Sequence, residues 1–352
     1  MDSLVGAIPR VERQQTHYEF LWNVKPPAAM IGLNHAARVA MHDQQFFPNE
    51  TDIVLTSTIS DSKLATYSFE DELRIIHEIE PDWIIPFDFP VYGDMDSETR
   101  TEHVRQVSNG ARDLQYILNV TDDSEIETIA NIKQVPRHLI EPELEATVIP
   151  LIKGVTKPER KICTSTAEEM NAPIYAKYGT QYMTVGGNGS YPQLCRDLAK
   201  IQEESNNHPL LVIGLLSPNG KFSLEGVPDN ITAAAGTNQW LKHVEPKSST
   251  PAEMRDKFDS FYSSVSETLT VTNPYDVNDI ETQNEHPDFK TSRGKAVNKA
   301  LNPSLSGAAG KEEYGFGQRK RSDDAMSASE AGKKGVQIQN QKKTKLSDYQ
   351  DS

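Results

Sequence analysis

The sequence predicts an α/β protein with a (β/α)8 TIM-like barrel, regular or irregular, and a disordered basic C-terminal tail. Short apolar runs of strand length alternate with helix-like segments over most of the chain. Most of these runs end in glycine, asparagine or another polar residue that forms turns. Such alternation is typical of parallel sheets whose strands are connected by helices. A chain of 352 residues can hold one large barrel or two ordinary domains.

Seven segments have the continuous apolar character of strands that are covered on both faces. They are residues 28–33, 52–57, 83–87, 148–153, 181–186, 210–216 and 231–235. Seven strands with helices between them fit a barrel better than an open sheet, and the eighth strand is expected within residues 119–145. This places an N-terminal extension at residues 1–27, the barrel at residues 28–289 and the tail at residues 290–352.

The helices between these runs carry local start signals. Ser68 precedes three closely spaced acidic residues, and a capping hydroxyl followed by early carboxylates favours a helix N-terminus. Pro158 stands where proline is favoured in a first helical turn. The remaining helices are predicted at residues 98–118, 193–204 and 251–269.

The predicted strands end in polar or small residues, and a barrel gathers the carboxyl ends of its strands on one face. Glycines there let a ligand approach the backbone closely, although glycine and asparagine are also ordinary turn residues. The strand ends are Asn34 and His35; Thr56 and Ser57; Asp88; Lys153 and Gly154; Gly186, Gly187 and Asn188; Ser217 and Pro218; and Gly236, Thr237 and Asn238.

Asp88 is the most informative of these residues. It follows the apolar run at residues 83–87 and enters a loop rich in aromatic residues and prolines. A carboxylate at the exit of a buried strand lies where parallel α/β folds place their chemistry. The alternative is that Asp88 caps the next turn or helix.

Charge is distributed unevenly along the chain. Residues 290–352 contain 13 basic and 7 acidic residues, whereas residues 1–289 contain 23 basic and 44 acidic ones. The acidic body indicates a well-hydrated surface and is compatible with a halophilic host. The tail has too few apolar residues to offset the entropy of ordering. Its clusters at residues 319–321 and 342–343 could hold a nucleic-acid backbone, or they could belong to a solvated tail without a specific partner.

Several classes of protein are excluded by composition. No apolar run approaches 18 residues and residues 1–13 lack a signal-peptide pattern, so a cytoplasmic protein without a membrane segment is expected. Two cysteines, Cys163 and Cys195, cannot form a disulfide framework or a four-cysteine zinc site. The histidines show no metal-ligand spacing, and no metal or cofactor is predicted.

Four blocks, taken in order, resemble the tRNA-guanine transglycosylase superfamily. The first is SFEDELRIIHEIEPDWIIPFD, which begins at Ser68 and ends at Asp88. The others are VIPLIKGVTKPER from Val148, YMTVGGNG from Tyr182 and LVIGLLSP from Leu211. The resemblance covers roughly residues 52–240 and implies a barrel that exchanges guanine in a polynucleotide for another base.

The sequence also departs from the pattern of the tRNA enzymes in this superfamily. It lacks their cysteine-rich zinc site, and their Asp-Ser-Gly-Gly-Phe-Gln segment is replaced by residues 56–62. The strand that should bring the nucleophilic carboxylate, within residues 229–240, is followed by none. The chain therefore most resembles the zinc-less archaeal and viral branch, whose members exchange guanine in DNA for a 7-deazaguanine base. DNA is the preferred partner and tRNA the alternative.

The resemblance implies a base-binding site around Asp88. Asp88 would read the polar edge of guanine or 7-deazaguanine, with Phe89 and Tyr92 as stacking walls or, equally, as loop packing. Residues in the later matching strands would lie beneath the base. They are Lys153, Gly154, Gly186 and Gly187.

Exchange also needs a nucleophile at the sugar C1′, and two carboxylates in different environments can divide the roles. Asp61 is the first candidate for the second carboxylate, or else a helix cap, and Asp94 is the alternative. Lys157, Arg160 and Lys161 could line a groove for the nucleic-acid backbone, or form an ordinary solvated helix start.

These assignments predict a pentosyltransferase that acts as a guanine/7-deazaguanine transglycosylase, and a homodimer is compatible with it. Two other functions remain open. One is a barrel that binds a nucleobase or nucleic acid without exchanging it. The other is an interaction protein that acts through its basic tail, in which case removal of residues 289–352 would abolish function and leave the body folded.

Overall fold

The computed structural model describes residues 4–41, 45–140, 144–183, 190–275 and 278. They belong to the first of two units, Met1–Gln318, whereas the second unit, Arg319–Ser352, lies outside the described residues. The predicted tail at residues 290–352 is likewise outside them. Within the described residues, eight parallel strands form one curled sheet with helices around it, and the α/β barrel class is confirmed.

The sheet has the strand order β5-β4-β3-β2-β1-β8-β7-β6. Its strands are β1 (Gly6–Val11), β2 (Ala28–Gly32), β3 (Asp52–Thr56), β4 (Trp83–Ile85), β5 (Thr147–Val148), β6 (Tyr175–Tyr178), β7 (Leu210–Ile213) and β8 (Ile231–Gly236).

The two edge strands of this sheet are brought together by the backbone that follows β5. The Ile152 amide donates to the Ala176 carbonyl at 2.8 Å, and the Ala176 amide donates to the Pro150 carbonyl at 2.9 Å. The sheet therefore curls into a TIM-like barrel. The barrel is irregular, since β5 has two residues and the β7–β8 register shifts between Leu210 and Leu211.

Ten α-helices lie within the described residues. They are α1 (Gln15–Val24), α2 (Leu33–Val39), α3 (Asp61–Leu64), α4 (Phe69–Ile79), α5 (Ser97–Asn119), α6 (Asp123–Lys133), α7 (Lys157–Glu169), α8 (Tyr191–Glu204), α9 (Asn238–Val244) and α10 (Pro251–Leu269). None of the helices in this part of the chain combines the length and the apolar character that a membrane span requires.

The predicted helix starts are present. Ser68 caps α4: its hydroxyl accepts from the Asp71 amide, and the Asp71 carboxylate accepts from the Ser68 amide. Thr156 and Glu159 form the corresponding capping box on α7, whose first turn contains Pro158. These reciprocal bonds satisfy amide groups that have no partner inside the helix.

The N-terminal boundary of the barrel differs from the prediction. Residues 6–11, assigned to an extension, form β1, which pairs with both β2 and β8. The eighth strand is therefore absent from residues 119–145, whose described part contains α6 and a short 3₁₀ helix at Arg137–Leu139. Pro9 and Arg10 interrupt the apolar pattern of β1, and only its pairing with two neighbours identifies it as a strand.

The sixth strand also differs from its predicted position. It spans Tyr175–Tyr178, whereas Thr180–Tyr182 forms a 3₁₀ helix and residues 184–186 lie outside the described part. β6 contains Lys177, which breaks the apolar run although it is buried at 2% exposure. The apolar segment that follows it was therefore mistaken for the strand.

Candidate functional site

A buried ion pair lies where β4 and β5 deliver the chain to the carboxyl-terminal face. Asp88 follows β4 and Lys153 follows β5, and the Lys153 ammonium contacts an Asp88 carboxylate oxygen. Their side chains are only 6% and 5% exposed, respectively. The structure thus brings together two of the residues predicted to bind a base. Burying two charges is favourable only when they are paired in good geometry.

Hydroxyl groups after β3 hold the Asp88 loop in place. Ser57 Oγ accepts from the Asp88 amide at 2.9 Å and donates to the Ile85 carbonyl at 3.2 Å. Thr56 and Thr58 are fully buried, and their hydroxyl oxygens lie 2.8 Å apart. Ser57, in the Thr-Ser-Thr segment at the end of the neighbouring strand, therefore supports the Asp88 backbone.

The backbone turns sharply just before Asp88. Phe87 has φ of +42°, a left-handed conformation that is uncommon for residues with a bulky side chain. Its ring lies beside Phe69 of α4, with centroids 5.6 Å apart, and packs onto Gly110 of α5. Such strained conformations persist where the surrounding structure holds them, and they cluster at functional sites. Asp88, the next residue along the chain, contacts Lys153.

The aromatic residues of this region have different roles. Tyr178, at the end of β6, places its ring 6.0 Å from the Lys153 ammonium. Phe89 is 7% exposed and packs against His103 of α5 with centroids 5.7 Å apart, which corresponds to the loop-packing alternative. Tyr92 is half-buried at the rim. Burial, together with the Asp61 and Asp88 carboxylates, raises the pKa of Tyr92, so its hydroxyl keeps its proton.

The two carboxylates predicted to take part in catalysis are both exposed. Asp61 begins α3 and accepts a hydrogen bond of 2.8 Å from the Tyr92 hydroxyl. Asp94 lies on the loop between β4 and α5. Tyr92 therefore connects Asp61 to the site, whereas the ion pair at the site consists of Asp88 and Lys153.

The glycine in the turn after β5 is required by the local backbone conformation and packing. Gly154 has φ of +118°, and a Cβ there would come within 2.7 Å of Glu159 Cβ. The Glu159 carboxylate accepts from the Val155 and Thr156 amides at 2.7 and 2.9 Å and from Arg100 Nε at 2.7 Å. This turn fixes the position of Lys153. Gly186 and Gly187, also predicted to contact the base, lie outside the described residues.

The three residues of α7 that were predicted to contact a nucleic-acid backbone differ in their exposure. Lys157 and Lys161 are exposed, whereas Arg160 is 3% exposed. Arg160 Nε and Nη2 donate to the Glu204 carboxylate at 2.8 and 2.7 Å, and this pairing raises the pKa of the guanidinium. Arg160 therefore connects α7 to α8 and is already occupied by an internal partner.

Arg10 is a site residue that the sequence analysis missed. Its Nη2 atom donates to the Thr58 carbonyl at 2.8 Å, and burial lowers the pKa of the guanidinium, while Tyr178 and Glu12 oppose that shift. Arg10 was assigned to the N-terminal extension. The signal that could have found it is a single cation inside an otherwise apolar run of strand length.

A second lysine lies behind the site. Lys177 extends from β6 towards α7 and α8, with its ammonium 5.9 Å from the centre of the Tyr182 ring. Burial, reinforced by the Lys153 charge, lowers the pKa of Lys177 to about 8. It faces the helix layer, where Cys163 and Arg160 of α7 and Asp197 of α8 act on its charge.

The described residues contain no group of three or more His, Cys, Asp or Glu side chains arranged to hold a metal. Comparisons of the chain with protein-family models and with curated proteins find no match. The superfamily resemblance therefore rests on the quoted residues alone.

Proposed function

We propose that this barrel binds a guanine-like base at the carboxyl ends of its strands and exchanges guanine in a polynucleotide for a 7-deazaguanine base. The observation that carries the proposal is the buried Asp88–Lys153 pair. It places an acceptor and a donor side by side in a region with little access to water, with the Tyr178 ring beside them.

The hydrogen-bonding edge of guanine complements this pair. Guanine presents N–H donors at N1 and N2 next to the O6 acceptor. Asp88 would accept from the two donors, while Lys153 would donate to O6. Hydrogen bonds to charged groups contribute roughly 1.5–3 kcal/mol each, so the pair can supply substantial discrimination among bases. A 7-deazaguanine keeps the same edge and would bind in the same orientation.

Exchange requires a nucleophile at the sugar. A carboxylate oxygen would bond to C1′ as the bond from C1′ to guanine N9 breaks, and N9 would take a proton from water, to which the incoming base later returns one. The ring nitrogen of the incoming base would then form its bond to C1′, lose its proton and release the carboxylate. Asp61 is the proposed nucleophile because Tyr92 connects it to the site, and Asp94 is the alternative.

Base binding is tested by titrating the full chain and its Asp88→Asn variant with guanine and with the 7-cyano-7-deaza analogue. Loss of a charged acceptor should weaken binding about ten- to a hundredfold. Asp94→Asn serves as the control for removal of an exposed carboxylate. Urea denaturation of each variant separates weaker binding from unfolding. Equal affinity in the wild type and in Asp88→Asn, or no binding to either, would overturn the pocket assignment.

Exchange is tested by incubating the protein with radiolabelled guanine and with DNA or tRNA in separate reactions. The proposal expects label in DNA that is lost in both Asp88→Asn and Asp61→Asn. Label in tRNA alone would show that tRNA, not DNA, is the substrate. Label that persists in Asp61→Asn but disappears in Asp94→Asn would assign the nucleophile to Asp94.

A second candidate function is base binding without exchange. The observation that favours it is the exposed position of Asp61, whose carboxylate lies on the rim and is bonded to Tyr92. Guanine binding that depends on Asp88, together with no label in DNA or tRNA, would support this second function and exclude the first.

A further inference from the structure

Three neighbouring strand ends carry a group of cations that was not predicted from the sequence. Arg13 follows β1, Arg38 lies on α2, which begins directly after β2, and Lys63 lies on α3, which begins after a short loop that follows β3. We call these three residues the basic rim. β1, β2 and β3 are adjacent parallel strands, in which Val11 pairs with Ile31 and Gly32 pairs with Thr56. Their carboxyl ends therefore bring the three cations to one edge of the barrel mouth.

His35 shows how close these cations lie. Its Nδ1 atom accepts from the Arg13 amide at 3.4 Å. Burial lowers the pKa of His35, the Glu12 carboxylate opposes this, and the charges of Arg38, Lys63 and Arg10 lower the pKa further. The Arg38 charge also lowers the pKa of Arg13, after the effect of burial. Arg38 therefore acts on Arg13, and Arg38 on α2 and Lys63 on α3 both act on His35.

The charge balance at the basic rim differs from that of the surrounding surface. Residues 1–289 contain 44 acidic and only 23 basic residues, and several exposed cations elsewhere are paired, as Arg112 is with Glu169 and Arg137 with Asp123. Arg38 and Lys63 are exposed, and neither forms an ion pair within the described part of the chain. Acidic groups near the rim include Glu12, whose carboxylate lies 4.0 Å from His35 Nε2, and Asp61, which shares α3 with Lys63. Exposed cations that converge on an acidic body, as Arg38 and Lys63 do, are suited to an anionic ligand.

We propose that the basic rim binds phosphate groups of the polynucleotide whose base enters the Asp88 pocket, an inference that rests on the proposed function. Arg10 lies between the basic rim and the Asp88 site. Its guanidinium donates to the Thr58 carbonyl, and its charge interacts with His35 at the rim and with Tyr178 beside Lys153. A nucleotide with its base beside Asp88 can therefore place its flanking phosphates along the ends of β1 to β3. A local basic surface of this kind offsets the repulsion between an acidic body and a phosphate backbone.

The test compares two double variants of the full chain. Arg38→Gln/Lys63→Gln removes two exposed rim cations, and Arg196→Gln/Lys200→Gln removes an exposed arginine and an exposed lysine from α8 as the matched control. Affinity for a labelled single-stranded guanine-containing oligonucleotide is measured by fluorescence anisotropy at several salt concentrations. Affinity for free guanine and for deoxyguanosine monophosphate is measured by calorimetry.

The rim variant should bind the oligonucleotide roughly tenfold more weakly, with the slope of log affinity against log salt reduced by about 1.4, because each lost cation removes about 0.7. Its affinity for free guanine should be unchanged, and the α8 control should bind like the wild type. Loss of oligonucleotide binding only in the α8 control would overturn the proposal. The proposal would also be overturned if both variants bound the oligonucleotide like the wild type, or if the wild type did not bind it at all. A rim variant that lost affinity for deoxyguanosine monophosphate but not for the oligonucleotide would overturn it too.

The two proposals fail in different ways. Suppose that the wild type does not bind free guanine, but the rim variant binds the oligonucleotide more weakly than the wild type does. The assignment of the Asp88 pocket is then wrong, and the rim remains a phosphate site. If guanine binding depends on Asp88 but oligonucleotide binding is insensitive to Arg38 and Lys63, the rim assignment falls and the base pocket remains.

Discussion

Lys177 is a charged group that the fold buries at an energetic cost. Burial, followed by the repulsion of Lys153, lowers the pKa of Lys177 from its usual 10.5 to about 8. Between these two pH values the unfolded chain keeps the proton that the folded protein has released. The free energy of unfolding should therefore rise with pH across this window, by about 3 kcal/mol from this residue.

Replacing Lys177 by Met removes the buried charge. We expect Lys177→Met to be more stable than the wild type below pH 8, with a difference that shrinks as the pH rises towards 10.5. Urea denaturation at pH 7, 8, 9 and 10 measures the free energy of unfolding of both proteins. The buried tyrosines titrate in both, so their contribution cancels in the difference between the two free energies. Lys161→Met is the control for loss of an exposed positive charge. Parallel stability curves for wild type and Lys177→Met would show that the buried ammonium has another favourable partner.

Helix α5 controls the position of Asp88 through a single glycine. A Cβ at Gly110 would lie 2.8 Å from Cβ and Cγ of Phe87, which is buried and immediately precedes Asp88. Alanine in a helix interior is favoured over glycine by up to about 1 kcal/mol, whereas overpacking a core typically costs about 1–3 kcal/mol. The steric effect therefore outweighs the propensity.

We expect Gly110→Ala to lower the free energy of unfolding by roughly 1–2 kcal/mol and to weaken guanine binding, because Phe87 and Asp88 must shift together. Gly93→Ala is the matched control, since a Cβ there meets nothing within 4 Å and the residue is exposed. Chemical denaturation and guanine titration of both variants provide the measurement. A stabilised Gly110→Ala variant with wild-type affinity would show that α5 moves away freely.

Helix α10 connects distant parts of the barrel. The Tyr262 hydroxyl donates to the Val5 carbonyl at 2.9 Å, and Phe258 packs against Phe20 of α1 with centroids 5.3 Å apart. Just beyond the helix, the Tyr275 hydroxyl donates to the Val24 carbonyl at 3.0 Å. The segment that follows β8 therefore completes the packing around β1 and α1.

The composition of residues 290–352 predicts that they add little to the stability of the barrel. A chain ending at residue 289 should unfold within about 2 °C of the full chain, because a full 1 kcal/mol moves Tm by only about 2–4 °C at this size and the expected change is smaller. A chain ending at residue 249, which lacks α10, should fail to fold cooperatively. Thermal unfolding followed by circular dichroism compares the three proteins. A fall of 10 °C or more on removing residues 290–352 would contradict the prediction.

Local patterns were sufficient for the features that depend on a few neighbouring residues. The apolar run at residues 83–87 predicted β4, and Ser68 with its early carboxylates predicted the start of α4. The same reasoning failed for β1, because Pro9 and Arg10 break its pattern and its strand character comes from pairing with β2 and β8. Local patterns also could not show that Arg160 pairs with Glu204, because this partner lies on another helix.

By itself, the sequence determined the α/β class, the alternation of strands with helices, and the position of Asp88 at the exit of a buried strand. These follow from hydrophobic periodicity and from turn and capping residues, which act over a few positions along the chain. Only the tertiary structure decided that Asp88 pairs with Lys153, that Arg10 belongs to the site, and that Arg13, Arg38 and Lys63 share one edge. These contacts depend on how the parallel strands are ordered and how the sheet curls, which brings together the ends of strands that are far apart in the sequence.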